Sequence, residues 1–197
     1  MILYFVDCET TGLSPQKNTI LEFCAIKHVN RVETERLHLK IAPSDHDLAL
    51  ASRYALEING YDPEKWKDAT PPTEAAAQIA RFLYGTSETA LVGHNVKFDA
   101  SFIRHFLQRH GSDQNLPFRQ IDTASLAFAH LKPLGLNSMK LDRIRVFLGW
   151  SLENNHTAEK DAEDCQRLFD LLVPKHTSDQ TVIINQIVVS TTKIQGS

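Results

Sequence analysis

Ile2-Leu3-Tyr4-Phe5-Val6-Asp7-Cys8-Glu9-Thr10-Thr11-Gly12 is the stretch whose reading decides the fold. Its first five residues are aliphatic or aromatic, the composition of a buried strand. Strand side chains alternate between faces, so a strand that continues through Glu9 turns Asp7 and Glu9 to the same side. Two carboxylates on one face at a strand end repel each other. They persist when exposed, when protonated, or when a cation neutralises them. Hard divalent ions such as Mg²⁺ prefer oxygen ligands of this kind. Gly12 permits a tight turn or a close approach of the backbone to a ligand. A solvated turn begun by Thr10 and Thr11 accounts for the same residues, so the rest of the chain has to choose.

The chain has 197 residues and a formal net charge of −3. That length fits one domain with a real core. The charge excludes grip on nucleic acid through a broad basic surface, so a polyanionic substrate would need metal ions and a local patch. Cys8, Cys24 and Cys165 are far apart and lack zinc-type spacing. An odd number of cysteines reads as free thiols filling a core in a reducing compartment. The apolar start has no basic flank and runs directly into Asp7, so no signal peptide is expected. No stretch is long enough to span a membrane. The expectation is a soluble cytoplasmic protein.

Working outward, periodicity predicts an alternating α/β chain. Residues 2–6, 19–29 and 33–41 read as three strands of an antiparallel meander, broken by turns at Asn18 and Asn30-Arg31. Glu22 inside the second strand needs a basic or backbone donor. A helix is expected over 48–58, ended by Asn59-Gly60, and another over 73–84, stopped by Gly85. Residues 90–93 form a short buried strand leading into His94-Asn95-Val96-Lys97-Phe98-Asp99. Asp99 shares or borders the apolar face of Phe98, Phe102, Ile103, Phe106 and Leu107. An N-cap or an acid placed by the helix dipole explains Asp99 as well, and Asn95 has the same alternative. A strand over 118–121 ends at Asp122-Thr123, which caps a helix over 124–131. A further helix covers 138–148.

Residues 157–173 are the most amphipathic helix. Ala158, Ala162, Cys165, Leu168, Phe169 and Leu172 form its inward stripe, and Asp161 sits in that stripe. An Asp on a buried helix face costs several kcal/mol unless it is paired or bound to metal. His156 lies just ahead of this helix, where a lone His ordinarily has no function but one beside a metal-bound carboxylate would titrate near neutral pH and move protons. The tail, 174–197, contains Thr181–Ser190, too apolar for a flexible linker. It suits an edge strand, a partner-binding segment or an extension without function.

Asp7, Glu9, Asp99 and Asp161, with His156 as a fifth member, make a carboxylate cluster of the sort that binds two Mg²⁺ about 4 Å apart for phosphodiester chemistry. The three segments that carry them resemble the DnaQ-like 3′–5′ exonucleases of the DEDDh group. Asp7-Cys8-Glu9-Thr10-Thr11-Gly12-Leu13 resembles the first motif of that family, Val92 to Asp99 the second, and His156-Thr157-Ala158-Glu159-Lys160-Asp161-Ala162 the third. The resemblance spans residues 1–173 and leaves 174–197 as an extension. It implies an RNase H-like fold, a five-stranded mixed sheet flanked by helices, with the second strand antiparallel to the rest. It implies that Asp7, Glu9, Asp99 and Asp161 hold two divalent ions, Mg²⁺ or Mn²⁺, and that His156 is the general base. It further implies that Thr10, Gly12, Leu13 and Asn95 meet the terminal nucleotides, with Leu13 wedged against their bases. Many relatives carry His-Gly where this chain has Asn59-Gly60, which bears on the terminal-nucleotide pocket. Lys97, Arg104, Lys132, Lys140, Arg143 and Arg145 are candidates for contacts to the nucleic-acid backbone.

The expected activity is hydrolysis from the 3′ end of single-stranded nucleic acid, DNA first and RNA as the alternative, with a polymerase or other protein as a partner through the tail. An inactive binding module of the same fold would lack a carboxylate or the His, and none is missing. A phosphatase with Asp7 as nucleophile would typically carry Asp where this chain has Glu9.

Overall fold

The computed structural model describes residues 1–112, 115–153 and 155–173. The apolar tail, for which an edge strand or partner segment is expected, lies outside the described residues. Strand β1 covers Ile2–Thr10, so it continues past the apolar run and through both acids. Its alternation separates two layers. Tyr4, Val6 and Cys8 face one apolar cluster, and Leu3 and Phe5 face another. Asp7 and Glu9 continue the second row.

The meander expected from the sequence is present. β2 (Ile20–Val29) pairs antiparallel with β1, and β3 (Val32–Lys40) pairs antiparallel with β2. Asn30 and Arg31 both have left-handed φ, at 52° and 66°, which is the conformation a two-residue hairpin turn requires. β4 (Thr89–Gly93) and β5 (Arg119–Asp122) add on the other side in parallel, giving the order β3-β2-β1-β4-β5 with β2 alone reversed.

β4 pairs with β1 only from Ile2 to Phe5. The end of β1 therefore runs on without a strand on that side. The first turn of helix α4 (Val96–Arg109) fills the gap. The Cys8 amide, which has no β4 carbonyl to meet, donates to Asp99 Oδ1 at 3.0 Å. A two-residue link makes this possible. Asn95 takes φ 67°, which Asn tolerates better than most residues, and its amide donates to Asp122 Oδ1 at 2.7 Å.

One expected helix divides in two. Residues 48–58 are not continuous: α1 is Asp45–Ala49 and α2 is Arg53–Ile58. Each has its own serine cap. Ser44 forms a capping box with Asp47, and Ser52 accepts from the Ala55 amide. The Ser52 amide donates to Thr11 O at 2.8 Å, so the break ties this segment to the loop after β1.

Helix α3 (Pro72–Phe82) packs with α4 on one face of the sheet. Helices α5 (Thr123–Leu131), α6 (Leu141–Phe147) and α7 (Ala158–Leu172) build the other side. Asp122 caps α5 as expected, accepting from the Ser125 amide. The six apolar positions of the α7 stripe are buried, Asp161 within it is half-buried, and the three cysteines are free and buried.

Candidate active site

Three segments bring four carboxylates together at the free end of β1. Asp7 and Glu9 come from β1, Asp99 from the first turn of α4 and Asp161 from the first turn of α7. Burial pushes the Asp7 carboxyl well above the usual range, and the charges of Asp99, Asp161, Glu9 and Glu22 push it further. Burial, then Asp161, Glu22 and Asp99, takes Glu9 up to about 8. Asp99 also reaches about 8, again chiefly through burial, against hydrogen bonds from its own amide and from Cys8. Burial raises Asp161 as well, and Arg145 opposes the rise. Asp99 is buried and Asp7, Glu9 and Asp161 are half-buried, and together they form an oxygen-rich site that fits a hard divalent cation.

His156 stands beside them. It has a left-handed φ of 62°, directly before the Thr157 cap of α7, and its Nε2 is 3.5 Å from Asp142 Oδ2. Ligand atoms of Glu9, His156 and Asp161 all lie within 4.8 Å of one another, so these three could hold an ion. The trio does not include Asp7 or Asp99, and it includes the residue expected to act as base.

The residues expected to meet substrate line the next stretch of chain. Thr10 Oγ1 donates to Gly12 O at 2.7 Å, and Thr10 O accepts from Asn59 Nδ2 at 2.9 Å. Asn59, where the resemblance puts His, thus braces the loop after β1. Gly12 has no left-handed φ. Its lack of a side chain matters because a Cβ there would fall 2.5 Å from Asn18 Oδ1. Asn18 uses that closeness to accept from the Ser14 amide and to donate to Leu50 O. Leu13 is 85 % exposed. With Asn95, Lys97 and Phe98 it lines a shallow cavity of about 250 Å³. A larger cavity of about 640 Å³ is lined by His156 together with Glu22, His38, Asn59 and Trp66 among others.

A sequence profile described as exonuclease, the RNase T family, matches residues 4–169. The chain belongs to this exonuclease family. Its relatives include the DNA polymerase III epsilon subunit of Treponema pallidum, 27 % identical over 91 % of this chain and 80 % of that one. The PolC-type DNA polymerase III of Thermotoga maritima is 32 % identical over 83 % of this chain, which spans only 11 % of that polymerase. Ribonuclease T of Hahella chejuensis is 29 % identical over 85 % and 81 % of the two chains. E. coli exonuclease I in complex with a dT13 oligonucleotide superposes with a TM-score of 0.75 at 22 % identity, covering 88 % of this chain and 41 % of that one. The match confirms the RNase H-like fold. These are DnaQ-like 3′–5′ exonucleases, metal-dependent hydrolases of nucleic acid. No helix among the described residues is long and apolar enough to cross a membrane.

Two features of this exonuclease site escape sequence reasoning. Arg145, expected to be a candidate for contact with the nucleic-acid backbone, is instead fully buried, whereas Lys97, Arg104, Lys132, Lys140 and Arg143 are exposed. Its guanidinium bonds Asp161, Asp164 and Asp142. The available signal was Asp164, one turn beyond Asp161 on a helix whose stripe is apolar. The donor that Glu22 requires is His38 Nε2, at 2.6 Å across the hairpin.

The raised carboxylates give the exonuclease domain a pH dependence with a definite sign. Glu9 and Asp99 hold protons up to about 8 when folded, but ionise near 4 when unfolded. Their contribution to stability is therefore fully present below about pH 4 and is lost as pH rises through 8. Ion binding requires the ionised forms and reverses the trend. Thermal melts in EDTA should show lower stability at pH 8 than at pH 5.5. The rise in Tm on adding Mg²⁺ should be larger at pH 8. An equal Mg²⁺ effect at both values would contradict the assignment of these acids to an ion site.

Proposed function

We propose that the chain is a two-metal-ion 3′–5′ exonuclease acting on single-stranded DNA ends and releasing nucleoside 5′-monophosphates. The observation that carries this reading is the convergence of Asp7, Glu9, Asp99 and Asp161 with His156 beside them. Asp7, Glu9 and Asp161 would hold one divalent ion, and Asp7 with Asp99 would hold a second. Such ions would activate water and neutralise charge on the leaving oxygen. His156 would act as the general base. Thr10, Gly12 and Asn95 hold the terminal nucleotide, and exposed Leu13 packs against its base.

The DNA polymerase III subunits among the relatives support DNA as substrate and a polymerase as partner. The likeness to Ribonuclease T supports RNA trimming as the second reading. Matched 5′-labelled single-stranded DNA and RNA, with Mg²⁺, Mn²⁺ or EDTA, separate them. A metal-dependent ladder shortening from the 3′ end is expected, faster on DNA. Faster loss of RNA would select the second reading. No shortening of either by folded protein would leave a binding module.

His156 deserves its own variant because it belongs to the trio of possible ligands. His156→Ala should lower turnover by about 10²-fold or more, the usual worth of a general base. Mn²⁺ affinity, measured by calorimetry without substrate, should change much less. A variant that chiefly lost Mn²⁺ would make His156 a ligand.

A further inference from the structure

Arg145 is the largest fully buried side chain among the described residues. A buried guanidinium is tolerated only when its donors are met. Here Nε donates to Asp164 Oδ2 at 2.7 Å, Nη2 to Asp161 Oδ1 at 2.7 Å and Nη1 to Asp142 Oδ1 at 2.9 Å. Asp164 is itself buried and also accepts from Lys160 Nζ at 2.8 Å. Asp142 presents its second oxygen to His156 Nε2 at 3.5 Å. One cation on α6 thus reaches the α7 acid of the site directly and the ring of His156 through one carboxylate.

We propose that Arg145 is a positioning residue for the metal site. By holding Oδ1 of Asp161 it fixes the carboxylate and leaves Oδ2 to an ion that Asp161 would bind. Through Asp142 it holds the His156 ring beside Asp161 and Glu9. The inference rests on the reading of Asp161 as a metal ligand.

A merely structural ion pair would also be buried, so the test has to separate packing from positioning. Arg145 and Asp164 carry opposite charges, and removing both leaves the local charge unchanged. It also avoids stranding one buried ion. The R145M/D164L variant therefore removes the clamp and leaves Asp7, Glu9, Asp99, Asp161 and His156 in place. It should melt within a few degrees of the parent. Calorimetry without substrate should show Mn²⁺ binding weakened about 5-fold or more. On single-stranded DNA at saturating Mg²⁺, kcat should fall about 10-fold or more, with KM within about 2-fold. A normally folded variant with unchanged Mn²⁺ affinity and kcat would overturn the proposal. Should R145M/D164L fail to fold, Asp142→Asn carries the test, because this partly exposed side chain leaves the buried pair intact. It should lower kcat about 3-fold or more with Mn²⁺ affinity unchanged, and an unchanged kcat would overturn the proposal. Weakened Mn²⁺ binding in R145M/D164L, with a parent that degrades no nucleic acid, would sink the proposed function and keep the role of Arg145.

Discussion

Asp7→Asn is expected to cut turnover by about 10³-fold or more and, in the same protein, to raise the Tm measured in EDTA. The substitution keeps shape and removes one negative oxygen. Both effects follow from where Asp7 sits. It is the acid whose surroundings hold the charges of Asp99, Asp161, Glu9 and Glu22 together with burial. Under the proposed function Asp7 would help hold divalent ions, which would relieve that crowding. An amide cannot neutralise them, so transition-state stabilisation is lost. Without ions the crowding is unrelieved, and a neutral side chain removes it. In a domain of this size each kcal/mol relieved raises Tm by about 2–4 °C, so a rise of about 4 °C or more is expected. Turnover assays with Mg²⁺ and scanning fluorimetry in EDTA check the two halves. Activity near the parent level would remove Asp7 from the metal site. Loss of both activity and stability would mean that Asp7 holds the fold together.

Opposite signs of those two effects would mark Asp7 as a functional carboxylate in a way that its sequence position cannot. Sequence made β1 legible because five apolar residues in succession are unusual outside a buried strand, and alternation then put Asp7 and Glu9 on one face. It made Asp161 legible because the α7 stripe is apolar on both sides of it. Asp99 was ambiguous, since an acid in a first helical turn has an ordinary electrostatic reason to be there. The structure adds a backbone reason for its place there: Asp99 accepts from the Cys8 amide at the point where β1 has no β4 partner. Arg145 was misread for a related reason. An Arg beside Ile144 on a short helix looks like a cation at the edge of an apolar face, and only the packing of α6 against α7 shows that the face closes over it. The break between α1 and α2 was written in Ser44 and Ser52. The amide of Ser52 also donates to Thr11 O, a partner far away in sequence that no local pattern announces.

Arg145→Met, made alone, is expected to be the most destabilising conservative-volume change in the domain, at about 3–5 kcal/mol. The single variant leaves Asp164 buried with Lys160 as its remaining cation, and leaves Asp161 among the other acids without the guanidinium that opposes its raised pKa. At about 2–4 °C per kcal/mol, the Tm in EDTA should drop by about 10 °C. Mg²⁺ should restore part of this loss and no more, because an ion at the carboxylate cluster neutralises Asp161 but is not liganded by Asp164. The R145M/D164L variant should recover most of the remainder, since it removes the stranded acid as well. This ordering, with the single variant below the double and both raised by Mg²⁺, distinguishes an unpaired buried charge from a packing defect. A packing defect would leave the double variant no better than the single. A single variant melting within about 2 °C of the parent would show that Asp164 is compensated without Arg145, and that the buried cation serves the geometry of Asp161 and His156 alone.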